Sequence, residues 1–530
     1  MANKSFYITT PIYYPSGNLH IGNVYTTFMC DAFARYKKAC GYDVYFLTGT
    51  DEHGQKIQDK AKQEGITPQQ YVDNMADSIQ KLWKSLDITN DDFIRTTQLR
   101  HEKVVQEVFS RFLKQGDIYL GNYEGWYCKP CESFFTNSQL VDGKCPDCGR
   151  EVTLEKEEAY FFKMSKYSGR LKEYYEKHLN MVTPSTRLKE VMVNFIDKGL
   201  EDLCVSRTSF DWGVKVKENP KHVVYVWLDA LLNYITALGY GSDNPELYQK
   251  FWQNGNERVH VLGKDITRFH LIYWPIFLMA LDLPLPDKFL VHGWIVMKNG
   301  KMSKSVGNVV YPGPLKEMYG MDMLRYFLLR EIQFYEGGMF TPEIFIERCN
   351  SDLANNYGNL THRSLSMIKK YYGGKVPPYN GCVGEFDAPL EAAFNLGINQ
   401  FFEKMDNFDI NNAIATVFEA LDKANKYVDD AKPWALAKDE SKQAELASVM
   451  SHLVNCIYIS SELLSPFIPD GTKKVLDMLN CPDTLRNYES VRKPFGQLQN
   501  VQIAEQITPV YARLDASVEV ERMNEKVYKL

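Results

Sequence analysis

The sequence predicts an α/β protein, with a parallel β-sheet in the first part of the chain and a helical bundle in the last part. Within residues 5–54, a strand-like run, a helical run and a second strand-like run follow one another. This order favours a parallel, right-handed crossover. After about residue 345, helical periodicities replace the strand-like runs and continue to about residue 490, as expected of a bundle.

The first crossover resembles a nucleotide-binding βαβ unit. Residues 5–14, SFYITTPIYY, are rich in β-branched and aromatic residues and are predicted to form a buried strand. The turn PSGN follows, and apolar residues then recur at helical spacing from Leu19 to Lys38 until Gly41 ends the helix. Residues 42–54, YDVYFLTGTDEHG, form the second predicted strand. Ligands bind beyond the carboxyl ends of parallel strands, so PIYYPSG and GTDEHG are expected to line one site.

The remaining elements follow in order. Residues 55–117 are predicted to be mostly amphipathic helix, and the composition of residues 118–222 indicates an insertion with shorter strands. Residues 222–235 and 257–274 return to a strand followed by a helix and are expected to complete the sheet. Residues 290–305 are predicted to be a strand pair with an Asn-Gly turn, leading into a loop rich in lysine and serine. The chain closes on one charged helix.

Composition indicates an ordinary folded protein of two to four domains, with 530 residues, 45% hydrophobic and 24% charged. The net charge of -6 argues against a surface that is basic throughout, although a local basic groove would be enough to bind RNA. The N-terminus lacks the apolar segment of a signal peptide. Residues 271–286 are too short to span a membrane and contain Pro275 and Asp282, so we expect a buried helix there. A cytoplasmic protein without membrane contact is expected.

Four of the eleven cysteines form two C-x2-C pairs, Cys128 with Cys131 and Cys145 with Cys148. This array predicts one tetrahedral zinc site with Zn–S bonds of about 2.3 Å. Four thiolates leave no open position, so the metal is expected to be structural. Free thiols or a redox pair are the alternative. The other seven cysteines are scattered singly, which fits a reducing compartment: Cys30, Cys40, Cys204, Cys349, Cys382, Cys456 and Cys481.

His20 and Gly22 lie where the first helix should begin. The N-terminus of a helix attracts phosphate, glycine lets a ligand approach the backbone, and an imidazole can donate to a phosphate oxygen. A histidine at a helix start is nevertheless more often a structural cap or a surface residue.

A second phosphate-type motif, KMSKS, occupies residues 301–305. Lys301 and Lys304 place two cations on a short loop, and Ser303 adds a hydroxyl donor. Such a loop can neutralise the charge that develops when pyrophosphate leaves a nucleotide. A solvated basic loop is the alternative, and the presence of HIGN in the same predicted domain weakens it.

The order of these motifs points to a family. HIGN after the first strand and KMSKS after the last resemble the HIGH and KMSKS signatures of class I aminoacyl-tRNA synthetases. Within that class, PIYYPSGNLHIGN, LTGTDEHGQKI, EGWYC, YVWLDALLNYI and GKDITRFHLIYWP resemble the methionyl-tRNA synthetase family, over roughly residues 4–500. The chain departs from the family at Asn23, where histidine is usual. Asparagine keeps an N–H donor of similar reach but loses the option of a charge.

The resemblance implies a Rossmann-type catalytic domain with a zinc-binding connective insertion of the bacterial type, holding a single zinc knuckle, followed by an α-helical anticodon-binding domain. Many relatives add a C-terminal module for dimerisation and tRNA binding, so a monomer is expected for this chain and a homodimer for a longer form. The implied bounds are 1–117 and 223–289 for the two catalytic halves, 118–222 for the insertion, 290–345 for the KMSKS and stem-contact region, 346–500 for the anticodon-binding domain and 501–530 for the last helix.

The implied activity is an ATP-dependent ligation of methionine to tRNA. L-Methionine and Mg-ATP form methionyl-adenylate and pyrophosphate, and the methionyl group passes to the 3′ end of tRNA(Met), initiator tRNA included. The implied catalytic residues are His20, Lys301 and Lys304. The implied ATP-binding residues are Tyr14, His20, Gly22, Asn23, Gly263, Asp265, Lys301, Ser303 and Lys304.

Helix geometry bears on the choice of amino acid. Trp227, Ala230 and Tyr234 share one helical face, and Ile266, His270 and Trp274 share another. Each set alone more often packs a core, but together they could form an aromatic pocket for a thioether. The resemblance assigns methionine to both sets, with Asp51 binding its ammonium group. The full implied set is Ile12, Tyr14, Asp51, Trp227, Ala230, Leu231, Tyr234, Ile266, His270 and Trp274.

Other implied roles are less specific. Arg207, with Gly263 and Asp265, would lie around the adenylate, although Arg207 and Asp265 could equally pair with each other. In the helical region, the resemblance assigns anticodon recognition to Asn359, Arg363 and Trp434. Asn and Arg can hydrogen-bond splayed bases and Trp can stack on one, whereas an exposed polar face with a helix-end Trp is the commoner arrangement.

Three rival functions remain. A synthetase for isoleucine, leucine or valine would need a large editing insertion, and residues 118–222 are too short and too rich in cysteine for it. A zinc-dependent RNA-binding protein without catalysis does not account for KMSKS and Asp51. A dinucleotide oxidoreductase would carry GxGxxG at the first strand–helix turn, and this chain does not.

Overall fold

The computed structural model describes residues 4–129, 133–135, 137–146, 148–298, 300–302 and 308–527. The chain divides into two compact units. The first consists of Met1–Leu19 and Tyr42–His292, and the second of His20–Gly41 and Gly293–Leu530.

The first unit is built on a six-stranded sheet in which all neighbouring strands are parallel. At its centre Ile8 pairs with Phe46 on one side and with Val259 on the other. The predicted parallel sheet is confirmed. Strand order reverses at this central strand, which is where such sheets bind ligands. From edge to edge the strands are Asp92–Arg95, Asp43–Thr50, Ser5–Thr9, Glu257–Gly263, Lys288–His292 and Val182–Thr183.

The first strand ends at Thr9 rather than at residue 14. Pro11 and Pro15 lack the N–H that a ladder needs, which explains the early end. The helix that follows begins at Ile21, two residues later than predicted. His20 has an extended backbone and caps the helix instead of belonging to it.

The prediction that residues 222–235 add a strand to the main sheet is wrong. Val223–Val224 pairs antiparallel with Ser206–Arg207 in a separate two-stranded sheet. Only two residues are extended there before the helix Val226–Leu231 begins. Within the region predicted to be mostly helix, Asp92–Arg95 forms an edge strand with one buried residue, Ile94, too short a run to show alternation.

Helices cover the sheet of the first unit. Trp274–Leu281 is completely buried, which confirms the helix predicted within the apolar run. Among the residues that the structure describes, no helix combines the length and apolar character needed to cross a membrane. The other α-helices of at least four residues are Gln55–Glu64, Pro68–Ser85, Leu99–Lys114, Ser168–Lys177, Ser185–Val191, Val226–Leu231 and Asn233–Thr236.

Residues between the two halves of this sheet form a smaller antiparallel sheet. Ile118–Cys128 pairs with Thr153–Phe162 over ten residue pairs, from Ile118 opposite Phe162 to Tyr127 opposite Thr153. The short strands Ser133–Phe135 and Leu203–Cys204 complete it. Cys128 is the last residue of the strand Ile118–Cys128.

The second unit begins with the helix Ile21–Ala39 and a small sheet. Trp294–Met297 pairs antiparallel with Gly300–Lys301, so the predicted hairpin is confirmed, and parallel with Gly337–Met339. In the part of the chain that the structure describes, no strand follows Met339.

The predicted bundle is therefore confirmed. Its helices of at least ten residues are Cys349–Gly358, Asn359–Tyr372, Asp387–Asp406, Ile410–Ala431, Gln443–Leu464 and Pro469–Met478, and the last helix of the chain is Ala516–Lys526.

A buried ion pair holds the first helix of the second unit in place. Asp31 accepts from the guanidinium of Arg325 at 2.6 Å, and both side chains are fully buried. Arg35, one turn further along, donates to the same carboxylate at 2.7 Å. Arg325 belongs to the helix Met321–Arg330. Removing either partner of such a pair typically costs about 3–5 kcal/mol, because an uncompensated charge stays buried.

Candidate active site

The loops that follow two neighbouring strands of the first unit lie side by side. The backbone N–H of Tyr13 donates to Gly49 at 2.8 Å, and that of Asp51 donates to Tyr13 at 3.0 Å. The Tyr14 hydroxyl donates to the carbonyl oxygen of His53 at 3.2 Å. Asp51 is 7% exposed. The two predicted site segments are thus brought together, with the Asp51 carboxylate held near the end of the sheet.

An aromatic and aliphatic cluster faces the first of these loops. Ile12 packs in one cluster with Trp227 and Ala230. Trp227 stacks on Phe269, with ring centroids 3.6 Å apart and planes at 12°. The buried indole N–H of Trp227 has no hydrogen-bond partner among the described residues. Phe269 was not predicted for the site, because Ile266, His270 and Trp274 were grouped at a spacing of four residues, which passes over Phe269.

One hydrogen bond joins the two predicted helical faces, and a separate pair of bonds holds Trp274 to the sheet. Tyr234 donates its hydroxyl to Nε2 of His270 at 2.8 Å, and Nδ1 of His270 donates to the carbonyl oxygen of Ile266 at 3.0 Å. Trp274 donates its indole N–H to Nε2 of His260 at 3.2 Å, and Thr9 contacts Nδ1 of His260 at 2.7 Å. Tyr234, His270 and Trp274 are therefore brought together as predicted.

Burial disfavours the protonated forms of both His270 and His260. Burial lowers the pKa of His270 to about 4, against smaller opposing effects of the Ile266 carbonyl and Asp265. Burial, with the nearby His270 and Arg258, lowers the pKa of His260 well below its usual value. A neutral His270 can accept from Tyr234 and adds no charge to the buried aromatic residues around it.

Replacing Tyr234 with phenylalanine is expected to leave Nε2 of His270 buried without a donor. An unsatisfied buried acceptor costs about 1–3 kcal/mol, and the expected result is a lower unfolding free energy and a higher KM for methionine with little change in KM for ATP. Urea unfolding and ATP–pyrophosphate exchange measure these quantities. Tyr45→Phe is the control, because its hydroxyl donates to Asp92 over 3.4 Å at a half-buried position. Equal effects of the two variants would contradict the role of the Tyr234 hydroxyl.

A buried network of charged side chains connects His53, in the second of these loops, with Asp229 and His101. Asp229 contacts Nδ1 of His53 at 2.7 Å and Nε2 of His101 at 2.9 Å. Glu102 lies 3.7 Å from Nε2 of His53. Burial opposes the charge on His53, but Asp229 and Glu102 outweigh it and raise the pKa of His53 to about 10. Burial likewise opposes the charge on Asp229, yet His53 and His101 lower the pKa of that carboxyl to about 2.

This network was not predicted, although two of its residues lie in quoted segments. His53 belongs to GTDEHG, two residues after Asp51, and Asp229 lies between Trp227 and Ala230. A histidine and an aspartate so close to predicted ligand residues are the available signal, but their pairing across 176 residues is visible only in the fold.

Three further predicted residues occupy defined positions in the first unit. Gly263 ends its strand, and a Cβ there would lie 2.8 Å from Oδ1 of Asp265. Leu231 is buried in the main core. Arg207 is 1% exposed, forms an ion pair with Glu157, and lies 4.3 Å from the centroid of the Tyr127 ring.

In the second unit, His20 and Asn23 form a reciprocal cap at the start of the first helix. Nδ1 of His20 accepts from the backbone N–H of Gly22 at 3.1 Å. The backbone N–H of His20 donates to Oδ1 of Asn23 at 3.0 Å. A neutral His20 ring then carries its proton on Nε2. A Cβ on Gly22 would lie 2.9 Å from Cε1 of His20, so glycine is needed for this close approach.

Asn23, which stands where the family usually has histidine, takes part in capping the helix. Its amide oxygen is used to satisfy a backbone donor of the helix end, while the amide nitrogen is the group that could meet a phosphate. Lys301 lies in the strand Gly300–Lys301, whereas Ser303 and Lys304 fall outside the described residues.

The predicted anticodon residues lie on helices of the second unit. Asn359 begins the helix Asn359–Tyr372, and Arg363 follows one turn later. The guanidinium of Arg363 lies 3.4 Å from the carboxylate of Asp429, with its side chain 37% exposed. Trp434 is 44% exposed. An exposed aromatic ring and an exposed guanidinium have the chemistry needed to contact bases.

Three of the four predicted metal ligands converge. The sulfur atoms of Cys128, Cys145 and Cys148 lie within 4.8 Å of one another, with Cys128 and Cys148 3.6 Å apart. Four thiolates at about 2.3 Å from a tetrahedral zinc would be separated by slightly less than 4 Å, so this spacing fits. Cys131 lies outside the described residues. The Gly149 N–H bonds to the Cys145 carbonyl at 2.8 Å, which closes the turn that carries the second pair. The cluster can hold a metal.

Family models match nearly the whole chain. The model for class I tRNA synthetases, methionine type, matches residues 6–155 and 148–365. The model for the anticodon-binding domain of methionyl-tRNA ligase matches residues 377–515.

Individual relatives agree. The chain is 54% identical to a methionine–tRNA ligase of Bacillus subtilis, covering 98% of this chain and 79% of that protein. It is 52% identical to one of Enterococcus faecalis, covering 99% and 79%. Among solved structures, Mycobacterium tuberculosis methionyl-tRNA synthetase in complex with methionyl-adenylate superposes with a TM-score of 0.91 at 39% identity, covering 96% of this chain and 100% of that one. Its apo form gives 0.85 at 36% identity, covering 97% and 99%. The chain therefore belongs to the methionyl-tRNA synthetase family of class I aminoacyl-tRNA synthetases, the ligases that join methionine to tRNA.

Proposed function

We propose that this member of the family activates L-methionine with Mg-ATP and transfers it to tRNA(Met), initiator tRNA included, through the residues predicted from its motifs. One observation carries the assignment of methionine: Ile12, after the central strand, packs against Trp227 and Ala230, while Tyr234 and the neutral His270 are hydrogen-bonded close to the same sheet end. Family membership supports the reaction, and this geometry supports the residues.

The proposed methionine site combines one charge with an apolar wall. Asp51 is the proposed partner for the ammonium group, since it directly follows the second strand and the adjacent Glu52 is already paired with Arg95 at 2.7 Å. Aromatic rings suit a polarizable thioether, each contact being worth about 0.3–1.5 kcal/mol, so rejection of leucine needs several contacts and shape together. The proposed set is Ile12, Tyr14, Asp51, Trp227, Ala230, Leu231, Tyr234, Ile266, His270 and Trp274.

ATP is proposed to be bound by the two signature motifs. His20 offers the Nε2 proton of its neutral tautomer, and Lys301 and Lys304 supply positive charge for the departing pyrophosphate. Tyr14, Gly22, Asn23, Gly263, Asp265 and Ser303 complete the proposed set, and Arg207 is proposed to lie near the adenylate.

The reaction proceeds in two balanced steps. A carboxylate oxygen of methionine attacks the α-phosphorus of ATP in line, and the bond to pyrophosphate breaks. A ribose hydroxyl at the 3′ end of tRNA then attacks the activated carbonyl carbon, its proton is lost, and AMP leaves. Because each nucleophile belongs to a substrate, the chain contributes positioning and charge stabilisation and forms no covalent intermediate.

Two metals are proposed. Zinc fits the cluster of Cys128, Cys145 and Cys148 with Cys131 as the fourth ligand, and four thiolates give it a structural role. Mg²⁺ accompanies ATP and would screen charge on its phosphates.

The remaining proposals concern tRNA and organisation. Asn359, Arg363 and Trp434 are proposed to read the anticodon, and the chain as given is proposed to be a monomer that acts in the cytoplasm. The domain bounds proposed from the sequence are 1–117, 118–222, 223–289, 290–345, 346–500 and 501–530.

The test is ATP–pyrophosphate exchange by the purified chain with each amino acid in turn. We expect exchange with methionine and only background rates with leucine, isoleucine, valine and cysteine. Charging of a tRNA(Met) transcript, with an anticodon-substituted transcript as control, tests the second step. Exchange with leucine or cysteine but not with methionine would refute the proposed specificity.

A further inference from the structure

Three potential metal ligands from separate segments converge in the helical part of the second unit. They are Cys382, in the segment before the helix Asp387–Asp406, Glu391, on that helix, and His452, on the helix Gln443–Leu464. One ligand atom from each lies within 4.8 Å of the other two. Cys382 is exposed, whereas the side chain of Glu391 is 17% exposed and that of His452 is fully buried. The cluster is therefore open to solvent on one side only.

The hydrogen bonds of His452 determine which of its nitrogens faces the cluster. Nδ1 lies 2.7 Å from the carbonyl oxygen of Ser448, and a carbonyl can only accept, so Nδ1 carries a proton. Nε2 then points at the carboxylate of Glu391, 2.9 Å away. A lone pair on Nε2 facing a carboxylate oxygen at this distance is repulsive unless a cation is shared between them. The cation can be a proton or a metal ion.

The position of Cys382 favours a metal ion, because its sulfur adds a third donor at the same point. The segment carrying it is anchored by Asp387, whose carboxylate accepts from the N–H groups of Val383 and Gly384 at 2.9 and 2.8 Å. Ser448 donates its hydroxyl to the same carboxylate at 2.5 Å. The segment thereby holds the thiol beside Glu391, to which Cys382 is also hydrogen-bonded.

The surroundings resemble the outer layer of a metal site. The backbone bond to Nδ1 is the usual way in which a metal-binding histidine is oriented. Tyr379 donates its hydroxyl to the carboxylate of Glu391, and Phe495 stacks on the ring of His452 with centroids 5.4 Å apart. These contacts orient two of the three donors before any ion binds.

We propose that Cys382, Glu391 and His452 form a second metal site, selective for Zn²⁺ or a similar borderline divalent ion and separate from the four-cysteine cluster. One thiolate, one imidazole and one carboxylate suit zinc and do not suit Mg²⁺ or Ca²⁺, which prefer oxygen ligands alone. Three protein ligands leave a fourth position for water on the exposed side. The ion joins the segment before residue 387 to two helices of the bundle, so it stabilises this part of the second unit.

The test is the zinc content of the chain and three variants after equilibrium dialysis at a fixed free zinc concentration. Cys382→Ser and Glu391→Gln are each expected to bind one zinc ion per chain fewer than the unchanged chain. Cys40→Ser, at a half-buried cysteine elsewhere in the same unit, is expected to keep the full content. Serine and glutamine preserve size, and glutamine can still accept from Tyr379, so folding should be retained and is checked by circular dichroism.

Cobalt gives an independent measurement. Cobalt bound to the unchanged chain should show absorption from a site with one thiolate, in addition to the intense thiolate bands of the four-cysteine cluster, and Cys382→Ser should lose only the former. Methionine-dependent exchange should be the same in both proteins. Equal zinc content in Cys382→Ser and the unchanged chain would overturn the proposal and leave the three side chains as a protonated, hydrogen-bonded network only.

Discussion

Replacing Asp229 with asparagine is expected to lower the unfolding free energy of the first unit by about 3–5 kcal/mol, as when one partner of a buried ion pair is removed. Asp229 is fully buried between His53 and His101. Asparagine keeps the shape but removes the charge that balances the His53 imidazolium. Urea unfolding at pH 6 measures the difference.

The pH dependence of this difference identifies its cause. The raised pKa of His53, about 10, contributes stability that is complete below its unfolded value near 6.5 and is lost as the pH rises from 6.5 to 10. The lowered pKa of Asp229, about 2, contributes stability that is complete above about pH 4 and is lost as the pH falls towards 2. The effect of Asp229→Asn should therefore be largest between about pH 4 and 6.5 and should shrink above 6.5.

Asp211→Asn is the matched control for this prediction. Asp211 is 89% exposed and pairs with Lys215 at 3.0 Å, so its loss should cost at most about 1 kcal/mol. A loss in Asp229→Asn that does not vary with pH would show that packing, rather than charge, is responsible. Exchange activity should fall in Asp229→Asn as well, because Trp227 and Ala230 lie on the same short helix.

Replacing Lys304 with alanine is expected to reduce methionyl-adenylate formation by at least about 10²–10³-fold, the usual effect of removing one group that stabilises transition-state charge. Binding of tRNA(Met) should persist, because the proposed anticodon residues lie on separate helices. Exchange assays and filter binding measure the two quantities. His20→Ala should show the same separation.

Lys298→Ala is the control for charge alone. Lys298 precedes Lys304 by six residues in the sequence, is 70% exposed, and contacts Glu343 at 3.4 Å. Its loss should leave exchange within about a factor of two, since exposed ion pairs contribute little. Unchanged exchange in Lys304→Ala would refute the role of the KMSKS loop. Loss of exchange in Lys298→Ala would show that exchange is sensitive to the loss of any positive charge in this part of the chain, and not to Lys304 in particular.

Local patterns predicted much of the fold, and the errors have local causes. The βαβ order, the hairpin and the bundle are confirmed. They could be predicted because hydrophobic periodicity and turn residues are properties of neighbouring positions in the sequence. Pro11 shortens the first strand, and Val223–Val224 leaves the main sheet, because strand partners depend on distant residues. An isolated strand of two residues has no periodicity to detect.

The site was predicted less completely than the fold, because several of its contacts join segments that are far apart in the sequence. Helical spacing grouped Tyr234 and His270 with their neighbours, and the structure joins them by a hydrogen bond. Phe269, stacked on Trp227, and the pairing of His53 with Asp229 depend on contacts between distant segments. Neither leaves a repeating pattern in the sequence.

The buried pair of Asp31 and Arg325 has a mechanical consequence. It joins the helix Ile21–Ala39 to the helix Met321–Arg330. Tyr326 follows Arg325 on the helix Met321–Arg330. Its hydroxyl donates to Asp352 at 2.6 Å, and its ring centroid lies 5.4 Å from that of Phe418. Tyr36, on the first helix, donates to Asp406 at 2.9 Å. The helix capped by His20 is thus tied by side-chain contacts to bundle helices of the same compact unit, so a change in the packing of those helices would be transmitted to the HIGN motif.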